Sequence, residues 1–155
     1  MGIFSWFRKK ASTLAVAAVV AALSGQQYMT HKLLEQEQRI GATETYLKQF
    51  EMYNRHTQMD VNRRVIKAID LIKMAENAQA KGDTRTALVK YTAALELLES
   101  LPLDKYLDEL KALQPADKEH QNAHAEAIAS FVNVITKVRE LMQTVQNSIK
   151  NLNTH

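Results

Sequence analysis

Two histidines, His120 and His124, stand four residues apart, a spacing that puts both rings on one face of an α-helix and within reach of a single metal ion. Gln121, Asn122 and Ala123 lie between them, so the glutamate that acts as general base in a zincin helix is missing. Asp117 or Glu119 would complete only a loose surface site, and His124 sits one step before Ile128 on an apolar seam, where it serves equally to cap a core. Carboxylates gather around Pro102 as Glu96, Glu99, Asp104, Asp108 and Glu109. A general acid–base pair needs two carboxyls held in a cleft with separated pKa values. Nothing in the pattern supplies a cleft, and the cluster reads as a solvated helix face. The chain has no cysteine, which removes disulfides, thiolate metal sites and a thiol nucleophile. With only 4 glycines in 155 residues it has no G-x-x-x-x-G-K, G-x-S-x-G or G-x-G-x-x-G motif. No catalytic residue and no cofactor is assigned, no metal site is assigned beyond the weak His120–His124 pair, and the chain reads as a non-enzyme.

The charge balance narrows the partners. Lysine and arginine total 20 and acids total 17, yet three of the bases are Arg8, Lys9 and Lys10, and the first acid is Glu35. The excess of positive charge therefore belongs to a ten-residue head, and the rest of the chain is neutral overall. A nucleic-acid binder needs a basic face that neutralises several phosphates, and a neutral body does not provide one. Arg55, Arg63, Arg64 and Lys67 make a local basic stripe that reads first as ordinary helix solvation.

Residues 1–10 read MGIFSWFRKK and precede an apolar run from Thr13 to Leu23 that ends at Ser24 and Gly25. A positive head, a short apolar run and a small-residue exit are the layout of a secretory signal, with cleavage expected after Ser24. The same residues suit an uncleaved anchor. Ile3, Phe4, Trp6 and Phe7 are suited to the headgroup level, with Arg8, Lys9 and Lys10 beside anionic lipid. A third reading makes the run a buried Ala/Val helix. The anchor reading is favoured; it predicts a single-pass cell-membrane protein with a cytoplasmic N-terminus, and the alternative is a periplasmic or secreted protein. The run is short and Ala-rich for a crossing, which takes about 20 apolar residues, and extending it to Met29 takes in Gln26 and Gln27.

Beyond the head, glycine and proline punctuate a helical chain. Gly41, Gly82, Pro102 and Pro115 separate long unbroken segments, and no stretch alternates with period two. Ile128, Phe131, Ile135, Val138, Met142, Val145, Ile149 and Leu152 recur at alternating spacings of three and four, a single stripe widened by Val132, Val134 and Leu141. Val61, Val65, Ile66, Ala68, Ile69, Ile72 and Ala75 form a partner stripe, followed by Ala87, Leu88, Tyr91, Ala94, Leu95, Leu98 and Leu101. Asp83 or Thr84 is expected to cap the latter helix and Asp104 a short one after Pro102, with Pro115 in the first turn of the last. The expected fold is an all-α antiparallel bundle of three to four helices with a long N-terminal helix. It divides into a hydrophobic segment over 1–27, a helical stalk over 28–60 and the bundle over 61–155. The stalk carries a half-apolar stripe with Asn54 at an apolar-type position, suited to weak packing or self-association; the favoured alternative is a solvated helix leaning on the bundle.

Residues 82–95, GDTRTALVKYTAAL, resemble the second helix of a tetratricopeptide repeat: Gly82-Asp83 at the turn, Ala87 and Ala94 where helices approach closely, Tyr91 as a wedge. Residues 68–81 are similar to its first helix, although Leu71 replaces an aromatic and Ala78 stands where tyrosine is common. The same hairpin, 68–101, is similar to the first two helices of microtubule-interacting-and-trafficking (MIT) domains. No second copy follows 34 residues on, so the resemblance covers one hairpin and not an array. It implies binding of a partner helix or extended peptide between helices. Tyr91, Tyr106, Phe131 and Met142 are the candidate partner-binding residues, each with core packing as its competing role. The function expected is a membrane-tethered protein–protein interaction or assembly module, with a homo-oligomer possible.

Overall fold

The computed structural model describes residues 2–40, 44–113, 115 and 118–154. The regular elements among them are all helical: α1 (Gly2–Ile40), α2 (Glu44–Ala80), α3 (Thr84–Glu99), α4 (Leu103–Ala112) and α5 (Lys118–Asn153). They pack as the expected all-α bundle with a long N-terminal helix.

The α2–α3 link shows how sequence sets a boundary. Gly82 adopts φ +79°, the left-handed conformation that stops a helix and that only glycine enters without strain. The amide of Asp83 donates to the Ala78 carbonyl at 2.9 Å and that of Gly82 to Gln79 at 3.0 Å, which closes the last turn of α2. Asp83 then caps α3, its carboxylate accepting from the Thr86 amide at 3.1 Å; hydrogen bonding from Thr86, its hydroxyl first and its amide second, holds the Asp83 pKa below its usual value. Two adjacent residues therefore end one helix and start the next. The other expected caps differ. Pro102 occupies the cap position of α4 without a side-chain bond, leaving Asp104 in the first turn, where its charge suits the helix dipole. Helix α5 begins at Lys118, beyond Pro115.

Helices α1, α2 and α5 each contribute to two compact units. The first unit comprises Met1–Val19, Val61–Leu101 and Lys137–His155. Its interior holds Val19, Val61, Val65, Ile72, Leu98, Val138, Leu141 and Val145. Ala68 and Ala75 on α2 and Ala87 and Ala94 on α3 are fully enclosed, so the two backbones approach closely. They run antiparallel, as two contacts show. Tyr91 Oη donates to Gln79 Oε1 at 3.1 Å, and Arg64 reaches the Ser100 carbonyl at 2.9 Å. The second unit comprises Val20–Asp60 and Pro102–Thr136. It encloses Leu23, Leu33, Tyr46, Phe50, Tyr106, Leu110, Phe131, Val134 and Ile135.

Residues 28–60, read as a stalk, contribute Leu33, Tyr46, Phe50 and Thr57 to that second interior. Ile66 and Val132, placed on the inward stripes by sequence, are exposed. Each follows a buried residue (Val65, Phe131) and is turned about 100° from it, which carries it past the edge of the buried arc. In the N-terminal run, Val19, Ala22 and Leu23 are buried by the protein's own helices, as are Gln26 and Thr30. Among the described residues, no helix is long and apolar enough to cross a membrane. The single-pass crossing expected from the sequence therefore finds no described helix to carry it.

Candidate functional site

The polar groups that could do chemistry come together in two places, both in the second unit. At the first, His124 on α5 is enclosed, and its Nδ1 lies 3.1 Å from Tyr46 Oη on α2. The rings meet edge-on at 66°, and the Phe50 ring lies tilted by 30° against Tyr46. Burial lowers the His124 pKa, and the Leu110 carbonyl acts in the opposite direction. The imidazole meets a phenol through Nδ1, while its Nε2 is buried without a hydrogen-bond partner; its enclosure among Tyr46, Phe50 and Leu110 is the core-capping position weighed against metal binding. The His120 side chain lies outside the described residues. Among the described residues, no group of three His, Cys, Asp or Glu is placed to hold a metal ion.

At the second place, Tyr53 Oη on α2 donates to the Tyr106 carbonyl on α4 at 2.6 Å, and Tyr106 Oη donates to the Asp60 carboxylate. The His56 ring meets Tyr106 edge-on at a centroid distance of 6.2 Å. Burial pushes the Tyr53 pKa up; the Thr57 hydroxyl opposes that shift, and the charge of Glu109 adds to it. A phenol held neutral and committed to a backbone carbonyl is a clamp, not an activated acid. The cluster fastens the short helix α4 to α2. The acidic residues around Pro102, Glu96, Glu99, Asp104, Asp108 and Glu109, are all exposed.

The four candidate partner-binding residues fall mainly inside. Tyr91, Tyr106 and Phe131 are buried and Met142 is half-buried, so each packs its own unit. The membrane candidates Ile3, Phe4, Trp6, Phe7, Arg8, Lys9 and Lys10 lie on the backbone of α1, with side chains outside the described residues.

No family model, curated protein or solved structure matches the chain.

The surface, by contrast, carries two organised faces. From Thr13 to Tyr28 the outward side of α1 presents Thr13, Leu14, Ala17, Val20, Ala21, Ser24, Gly25, Gln27 and Tyr28, without a charge. Leu14 is 61% exposed and Tyr28 67%. On α2 the side opposite Val61, Val65, Ala68 and Ile72 carries Met52 (72% exposed), Met59 (69%) and Ile66 (57%). These fall every seventh residue and so lie in one line along the helix. Lys48, Glu51, Arg55, His56 and Arg63 are exposed around them, with Lys67, Asp70 and Lys73 continuing the face. The sequence pattern puts Ile66 on the inward stripe, whereas it is exposed; in the basic stripe, Arg55, Arg63 and Lys67 are exposed and Arg64 is half-buried. The sevenfold spacing of Met52, Met59 and Ile66 was the signal available for this face.

Proposed function

We propose that the protein is a non-catalytic helical interaction module held at a membrane surface through its N-terminal helix. The observation that carries this reading is the outward face of α1, uncharged from Thr13 to Tyr28, in direct continuation of a head that contains Phe4, Trp6, Phe7, Arg8, Lys9 and Lys10. A helix with one side packed on its own protein and an uncharged outer side is suited to lying in the headgroup region, with the bases of the head drawn to anionic lipid. The tether proposed is therefore in-plane, in place of a crossing. Continuity of α1 through Ser24 and Gly25, with Ala22, Leu23 and Gln26 buried, supports retention of this segment over release by cleavage. The α2–α3 hairpin, with its tetratricopeptide-like and MIT-like sequence, supports a binding role in place of catalysis.

Flotation of the full chain with vesicles tests the reading. Binding is expected to vesicles containing phosphatidylglycerol, not to pure phosphatidylcholine, and to be lost in the Arg8→Glu, Lys9→Glu, Lys10→Glu triple variant and weakened in Leu14→Glu. Alkaline carbonate is expected to release the protein, as it releases surface-bound chains. Absence of flotation, or flotation that ignores the head and Leu14, refutes the tether.

A further inference from the structure

From the placement of sulfur in the chain, we infer that Met52, Met59 and Met74 on α2 are sites of reversible sulfoxidation, through which the protein reduces peroxide stoichiometrically without loss of its fold. The chain has no cysteine and 6 methionines, so every sulfur in it is a thioether. Met52, Met59 and Met74 are each more than half exposed, whereas Met29 and Met142 are half-buried. Met1 lies outside the described residues. Met52 and Met59 belong to the second unit and Met74 to the first. Each sulfur reacts by itself, and neither the membrane tether nor a protein partner is needed for it.

The chemistry is that of an accessible thioether. A sulfur lone pair attacks one oxygen of hydrogen peroxide. The S–O bond forms as the O–O bond breaks, and the departing hydroxide takes the proton of the transferred oxygen to leave as water. Sulfur is oxidised by two electrons to the sulfoxide, and the peroxide is reduced by the same two. Water at an open surface relays the proton, so no acidic side chain is required. Methionine sulfoxide reductases restore the thioether; their thiols supply two electrons and end as a disulfide, and the oxygen leaves as water.

Burial decides which sites react and whether the change is tolerated. Sulfoxidation converts an apolar side chain into a polar one, which disrupts a packed interior, because a buried polar group without a partner is costly. At the three exposed positions the new S=O dipole meets water. The buried side of α2 is built from Phe50, Val61, Val65, Ala68, Ile72 and Ala75, and all three methionines of this helix lie off it. A single exposed apolar side chain is ordinary; what separates these three is reactivity. Leucine matches methionine in helix propensity and would leave α2 intact, but it carries no sulfur.

Titration of the full chain with hydrogen peroxide, followed by peptide mapping in a mass spectrometer, tests the inference. Met52, Met59 and Met74 should each gain one oxygen several-fold faster than Met29 and Met142. In the urea-unfolded chain this difference should vanish. With the three converted, far-UV circular dichroism and the thermal midpoint should match the untreated protein, and the two epimer-specific methionine sulfoxide reductases together should restore all three. The Met52→Leu, Met59→Leu, Met74→Leu variant should fold as wild type and consume one equivalent of peroxide fewer for each methionine removed. Equal rates in the folded chain, the same ordering after unfolding, loss of helix on oxidation of the exposed three, sulfoxides that resist the reductases, or undiminished peroxide uptake by the leucine variant each overturns the inference.

Discussion

Two glycines offer opposite outcomes from the same substitution. Gly25 lies within α1 and Gly82 ends α2, and a Cβ added at either meets nothing within 4 Å. Steric clash is thus removed from both comparisons, and only backbone conformation differs. At Gly25 the backbone is helical, where alanine is favoured over glycine by about 0.8–1 kcal/mol; Gly25→Ala should stabilise by that amount. At Gly82 the φ of +79° lies in the left-handed region, which costs an L-residue roughly 1–2 kcal/mol. Gly82→Ala should therefore destabilise by that amount, with Gly82→Asn intermediate because asparagine tolerates this conformation better. In a chain of 155 residues, 1 kcal/mol moves the melting midpoint by about 2–4 °C. Thermal melts followed by far-UV circular dichroism should place Gly25→Ala above wild type and Gly82→Ala below it. If Gly82→Ala is neutral, or if both variants shift the same way, the helix-stop argument for the α2–α3 link is wrong.

Other perturbations test the interiors and the clamps. Phe131→Ala, at a fully enclosed site, should destabilise by about 3–5 kcal/mol, whereas Met52→Ala should stay within roughly 0.5 kcal/mol; urea titration of each variant checks the contrast. Tyr106→Phe and Asp60→Asn should each destabilise by about 1 kcal/mol, and the double variant should lose less than the sum, since both remove one bond. His124 supplies a pH dependence. Burial lowers its pKa from 6.5, so below that value the unfolded chain takes up a proton that the folded chain resists. The stability tied to neutral His124 is full above this pH and declines as pH falls beneath it. Denaturation midpoints of wild type and His124→Gln should converge on acidification, and a constant gap between them would contradict the assignment.

Helix α5 is legible in the sequence because its apolar residues keep strict three-and-four spacing, and periodicity alone then identifies the buried side. The α2–α3 hairpin is legible for a different reason: Gly82 and Asp83 are each suited to one backbone task. Residues 28–60 are obscured because Thr57 is polar and Tyr46 falls outside the seven-residue register of Leu33, Ile40 and Leu47, yet both are enclosed. The N-terminal run is ambiguous because alanine and valine suit lipid or protein neighbours equally, and Val19 and Ala22 meet protein. The outer face of α2 is harder still to read. Ile66 neighbours Val65 in sequence, and which of them turns inward depends on helix phase against partners that only the folded chain supplies.

The division of the chain has a consequence for its genetics. Each unit is assembled from separated stretches, 1–19 with 61–101 and 137–155, and 20–60 with 102–136. Neither can be excised as one contiguous gene fragment, because every cut that isolates one severs α1, α2 or α5 in mid-helix. Truncation from either side removes material from an interior whose other walls lie far along the polypeptide. Such an arrangement must close long loops before its contacts form, which slows folding relative to a bundle of purely local contacts.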